Sequence, residues 1–215
     1  MTLGELTIEA LKLYLSGKTM LSAVRNLSSN GSISEVKVMP SNKPMRLTTH
    51  TVYSLEGRVQ HILRLTRSGR DDPRIRKAVA KIIGRKCGDK WCVPEKDWES
   101  ECREVFKWVK RNVRYTRDIE GKDTFQHPIR TIELGIADCD DMSSLIGSML
   151  LAAGYPVKLR VIRTVGSKDW NHIFPMIGLP PGAPNRWVAL DATVPRPMGW
   201  HPPANMIEDT QDFAA

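Results

Sequence analysis

Apolar residues fall at helical spacing through the first half of the chain and at strand spacing toward its end, with polar punctuation between. Residues 1 to 27 carry Leu3, Leu6, Ala10 and Leu13 at near-helical intervals, and the Ser/Asn/Gly stretch at 28–32 then reads as a linker. Between 33 and 50 the alternation of ISEVKVM, with two prolines, predicts a short extended piece. Val52, Leu55, Val59, Ile62 and Leu63 mark an amphipathic helix. Asp72 followed by Pro73 is a strong helix start, because the carboxylate accepts from free amides and proline suits the first helical position. Behind it Ile75, Ala78, Val79, Ile82 and Ile83 share one stripe, and Gly84 stands near its end. Asp97 opens another helix, with Trp98, Cys102, Val105, Phe106 and Val109 toward the core.

After a polar loop carrying Gly121 and His127-Pro128, the pattern changes. One helix is predicted over about 139 to 153, capped by Asp138 with Asp141 three positions on, and ended by Gly154 and Pro156. Three strand-like runs follow: VKLRVIRT at 157–164, NHIFPMI at 171–177 and RWVALDAT at 186–193. The loops between them, GSKDW and GLPPGAPN, are turn-rich and predict an antiparallel sheet. The chain therefore divides into an N-terminal helix and arm (1–50), a basic helical region packed on the core (51–96), the core (97–200) and a C-terminal tail (201–215).

Composition narrows the function classes. No apolar run is long enough to cross a bilayer, and Glu5 stands where a signal peptide would carry lysine or arginine, so a soluble protein without a Sec signal is expected. The net charge of +8 is uneven: residues 1–118 hold 24 Lys+Arg against 13 Asp+Glu, and the remainder 8 against 11. The cations are interleaved with apolar positions, which fits solvated helix faces, and no helix-turn-helix or zinc signature supports nucleic-acid binding. Four cysteines make no dense disulfide framework, and a reducing compartment is the default. Cys87, Cys92 and Cys102 have the spacing of a partial zinc site, but no fourth ligand follows. They read as structural, or as a Cys87–Cys92 disulfide under oxidising conditions. No metal and no cofactor is expected.

The chemistry gathers on the 139–153 helix. Its stripe of Met142, Leu145, Ile146, Met149 and Leu150 returns, three positions back, to Cys139, so the thiol shares the inward face. A helix N-terminus offers free amides and partial positive charge, which favour a thiolate and can hold an oxyanion. Asp138, Asp140 and Asp141 oppose that effect, so a cationic histidine partner is needed. His172 and Asp191 lie on successive predicted strands, where opposite residues come within about 5 Å at the β-carbons. Alone, Cys139 would read as a buried structural thiol and His172 as a core histidine; together with Asp191 they make a nucleophile, base and orienting acid.

The segments GIADCDDMSSLIGSMLLAAGYPVKLRVI, WNHIF and RWVALDAT resemble the core of the transglutaminase-like superfamily, best over about residues 97–195. The resemblance implies an α+β fold: a papain-like core, its nucleophile helix packed on an antiparallel sheet, with a helical N-terminal half. It also implies a Cys139–His172–Asp191 triad, with Gln126 as a side-chain oxyanion donor. The doubled acidic pair after the cysteine, preceded by Tyr115, Gln126 and Pro128, is similar to uncharacterised bacteriophage and prophage members. The family usually has glycine two residues before the nucleophile, where this chain has Ala137. The function so implied is cysteine-dependent acyl transfer on a protein or peptide, by a phage-encoded peptidase, amidase or transglutaminase-like enzyme in the bacterial host cytoplasm or the virion. The rival is a virion or assembly protein that uses the fold to bind phage structural partners through its basic N-terminal half.

Overall fold

The helices begin where a side-chain acceptor takes up a free amide. The structure, a computed structural model, describes residues 54–118 and 123–215. The helix expected over 1–27, the linker and the extended arm lie outside the described residues. In α1 (Leu55–Asp71) Ser54 Oγ accepts from Gly57 N at 3.1 Å, and in α2 (Pro73–Ile83) Asp72 accepts from Arg74 N at 2.8 Å. Asp97 caps α3 (Trp98–Asn112) at Ser100 N, as predicted.

Two pieces escaped the periodicity. The first is a hairpin of β1 (Lys86–Cys87) and β2 (Lys90–Trp91), closed by a Cys87–Cys92 disulfide with Gly88 at φ +67° in the turn. The disulfide removes both sulfurs from any zinc site, while Cys102 lies fully buried on its helix stripe. The second is α4 (Pro128–Leu134), where a polar loop was expected. Seven residues are too few to show a period, and only Pro128 at its start and Gly135 at φ +66° past its end mark it.

Strand β3 (Arg114–Tyr115) pairs in parallel with β4 (Ile136–Ala137), which delivers the chain into α5 (Cys139–Ala152). The main sheet runs in the order β7 (Arg186–Ala189), β6 (His172–Leu179), β5 (Val157–Thr164), β8 (Ile207–Ala214), all antiparallel. The segment 201–215, expected as a tail, thus contributes an edge strand. Its side chains are mainly exposed and it is held by Arg160–Asp212 and Arg163–Glu208 ion pairs, so no apolar alternation announces it.

Every residue of α5 from Asp140 to Leu150 is buried, between the sheet on one side and α1 with its neighbouring helices on the other. The approach of α1 depends on small residues. Thr66 Oγ1 meets Ser144 Oγ at 3.2 Å, and Ser148 Oγ donates to Thr66 O or Ser144 O. A β-carbon on Gly69 would stand 2.5 Å from Ser148 Oγ and 2.7 Å from Pro128 Cγ. Among the described residues no helix is long and apolar enough to cross a membrane.

On an open helix face, Gly→Ala stabilises by about 1 kcal/mol. Gly69→Ala is expected to do the opposite, costing about 1–3 kcal/mol through overpacking against α5, read as a lower urea midpoint at unchanged slope.

Candidate active site

Cys139 is the first residue of α5, and its neighbour Asp138 caps the helix by accepting from Asp141 N at 3.2 Å. Burial pushes the thiol above its ordinary pKa, and the charges of Asp138 and Asp140 push the same way. Against them act the backbone amides of Ile173 and of Cys139 itself. The amide of Ile173 places the thiol at the start of β6, beside the residue that follows His172. Ser143 ties the same two elements, its Oγ within reach of Cys139 O at 2.6 Å and Ile173 O at 3.1 Å.

His172 opens β6, and its Nε2 meets Asp191 Oδ2 at 2.8 Å. The β6–β7 register pairs Met176 with Ala189, and the Leu190 N to Pro175 O bond carries it beyond β7. Asp191 thereby falls across from Phe174, one diagonal step from His172. Burial alone would raise the Asp191 carboxyl, but hydrogen bonds from His172 and Thr193 outweigh it and hold the group below the usual carboxylate range. Thr193 donates to Asp191 Oδ1 from both N (3.1 Å) and Oγ1 (2.6 Å), leaving Oδ2 for the imidazole. With Nε2 so engaged, Nδ1 is the ring nitrogen without a carboxylate. Among the described residues no hydrogen bond joins the ring to the Cys139 thiol; such contacts commonly close only when substrate binds.

Gln126, expected as an oxyanion donor, faces a carboxylate. Its Nε2 donates to Asp141 Oδ2 at 2.6 Å and to Ile136 O at 3.4 Å, and its backbone N to Asp141 Oδ1 at 2.6 Å. Both amide hydrogens therefore have acceptors, while Oε1 is buried without a partner. A buried carboxylate is the strongest acceptor nearby and takes the amide. Even so, burial and the charge of Asp138 raise Asp141 from 3.8 to about 7, and Asp140 is also raised well above its usual range by burial and by Asp138. Oxygens of Asp138, Asp140 and Asp141 lie within 4.8 Å of one another, and this crowding of like charge is what raises the two carboxyls beyond their burial.

Ala137 has no positive φ; the left-handed position is Gly135, two residues earlier, so the family's glycine freedom is not required here. Three neighbours went unassigned in the sequence. Thr193 stood in the quoted strand motif, and its orienting bonds are the use of that position. Tyr115 lies close enough to Cys139 for a thiolate there to raise its hydroxyl, after burial, above its ordinary pKa. Lys110 reaches from α3 to the carbonyls of Val194 and Arg196 at 2.8 Å each, just past Asp191. No spacing links residue 110 to residue 194.

The model of the transglutaminase-like superfamily matches residues 88–192, a span that contains Cys139, His172 and Asp191. Over it the fold is α+β with a transglutaminase-like core. Among solved structures, calcium-bound LapG of Legionella pneumophila is similar at 18% identity, over 73% of this chain and 87% of that one, with a TM-score of 0.46. A proposed cysteine protease from Cytophaga hutchinsonii is similar at 17% identity, over 70% of this chain and 47% of that one, with a TM-score of 0.42. The chain thus spans about half the length of the latter. No curated protein matches.

An acid whose folded pKa lies above its unfolded one binds more protons in the native state between the two values, so stability falls as pH rises through that window. For Asp141 the window runs from 3.8 to about 7. The urea midpoint is expected to be higher near pH 5 than near pH 7.5, with Asp141→Asn reducing the difference and an Asp140→Asn/Asp141→Asn double variant removing most of it, since Asp140 is raised in the same direction.

Proposed function

We propose that the chain is a cysteine-dependent acyl-transfer enzyme acting on a protein or peptide amide, with Cys139 as nucleophile, His172 as base and Asp191 as the acid that orients the imidazole. The observation that carries this reading is the Asp191–His172 bond at the start of β6, the strand whose next amide lies at the Cys139 thiol. Because the thiol is raised rather than lowered, the resting site holds a neutral sulfur and needs a base at the moment of attack.

In the forward step the thiol proton passes to His172 Nδ1 as sulfur adds to the carbonyl carbon. The resulting oxyanion is met by the Cys139 amide at the helix start. His172 then returns the proton to the departing amine, the carbon–nitrogen bond breaks, and a thioester remains on Cys139. Attack by water, deprotonated by the same imidazole, releases a carboxylic acid and the free thiol; attack by an amine would form a new amide instead. Water is the simpler acceptor. Asp191 keeps Nε2 protonated throughout, and Thr193 keeps Asp191 in place. Gln126 supports the site by holding Asp141, and becomes a second oxyanion donor only when Nε2 leaves that carboxylate.

An amide-type, thiol-directed warhead is expected to label Cys139, half-buried near the His172–Asp191 pair, ahead of Cys102, which lies fully buried on its helix stripe. His172→Ala should slow labelling by about 10²–10⁴-fold. Equal, slow labelling of both free thiols, unaffected by that substitution, would sink the enzyme reading. The rival role as a phage-particle interaction module predicts particle binding at fixed stoichiometry that survives Cys139→Ser.

A further inference from the structure

A cleft of about 430 Å³ lies beside the nucleophile helix and takes no part in the chemistry above. Its lining includes Lys110, Arg111 and Arg114 together with Tyr115, Met142 and Thr193, and it includes no carboxylate. Two of these residues fix where it opens. Met142 is one turn along α5 from Cys139, a separation of about 5–6 Å at the β-carbons. Thr193 holds Asp191 by two hydrogen bonds. An extended peptide advances about 3.3–3.6 Å per residue, so a chain whose carbonyl stands at Cys139 has a side chain one to three residues away within reach of the cleft.

Two of the charges there are uncompensated. Arg111 and Arg114 are exposed and form no ion pair with any described carboxylate, unlike Arg70, Arg74, Arg103, Arg160 and Arg186 elsewhere on the molecule. Lys110 donates its ammonium to two backbone carbonyls and feels the charge of Asp191. Asp138, whose charge reaches Tyr115 in the lining, accepts at the cap of the nucleophile helix. Guanidinium groups match a carboxylate in geometry as well as charge, through paired N–H donors.

We infer that this cleft is a specificity subsite for an acidic side chain of the substrate, gripped by Arg111 and Arg114 with Lys110 behind them. The inference rests on acyl transfer at Cys139, and it narrows the substrate to peptides carrying Glu or Asp within three residues of the bond attacked. Tyr115 joins the cleft to the site, since it lines the cleft and lies close enough to Cys139 for a thiolate there to raise its hydroxyl.

The test uses the full chain with Cys139→Ser, so that binding is read without chemistry, and titrates it with unreactive peptides that differ only in Glu, Gln or Lys at one scanned position. At one position the Glu peptide is expected to bind about tenfold more tightly than the Gln peptide, with the preference lost in an Arg111→Gln/Arg114→Gln double variant and weakened by salt. Both arginines are exposed, so the variants should keep the wild-type melting temperature. Equal binding of Glu and Gln peptides at every position overturns the subsite, as does an oligonucleotide that binds through these arginines where Glu peptides do not. Failure of the enzyme reading is separate: there the warhead does not discriminate Cys139 in the wild-type chain, whatever the peptides do.

Discussion

The burial of α5 on all sides is the constraint from which the rest of the structure follows. A helix without a solvent face cannot carry charge along its length, and its only carboxyl groups, Asp140 and Asp141, sit in the first turn. Because α1 must come close on one side, the contact is made by Thr66, Gly69, Ser144, Gly147 and Ser148 rather than by large side chains. Packing on the sheet then leaves the helix no freedom to slide. The start of α5 is held against the start of β6 by Ser143, and the Cys139 thiol and the His172–Asp191 pair share one end of the sheet.

That placement has an electrostatic cost. A thiol at a helix start gains from free amides, yet here burial and two flanking carboxylates outweigh them. The acidic turn is in turn stabilised by Gln126, which commits both amide hydrogens to it and leaves Oε1 unpaired. Asp191 shows the opposite balance, since three donated hydrogen bonds overcome its burial and keep it ionised for the imidazole. Two buried carboxyl environments are thus driven in opposite directions: Asp141 upward by burial and the charge of Asp138, Asp191 downward by the hydrogen bond and charge of His172 together with Thr193.

Much of this organisation is legible along the chain because it is local. The caps at Asp72, Asp97 and Asp138 and the helix stripes behind them are decided within a few residues. The strand at 157–164 was likewise bounded by its own alternation and flanking turns, and the 171–177 run shifted by only one or two residues. Pieces whose stability comes from partners were not: α4 is seven residues under a helix pair, β1 and β2 are two residues each across a disulfide, and β8 is a mainly exposed strand stabilised by β5 and by ion pairs.

By itself the sequence placed Cys139 at a helix start and His172 on a strand, while the strand expected over 186–193 ends at Ala189 and leaves Asp191 two residues past it. Those assignments follow from backbone propensity and period, which act over a few residues. Only the tertiary structure decided what each group meets. It set Gln126 on Asp141, Thr193 on Asp191 and Lys110 on the loop after Asp191, and it gathered Arg111 and Arg114 into a cleft beside the nucleophile helix. Side-chain pairing and pKa depend on distance and burial in space, and neither is written in the spacing of residues along a chain.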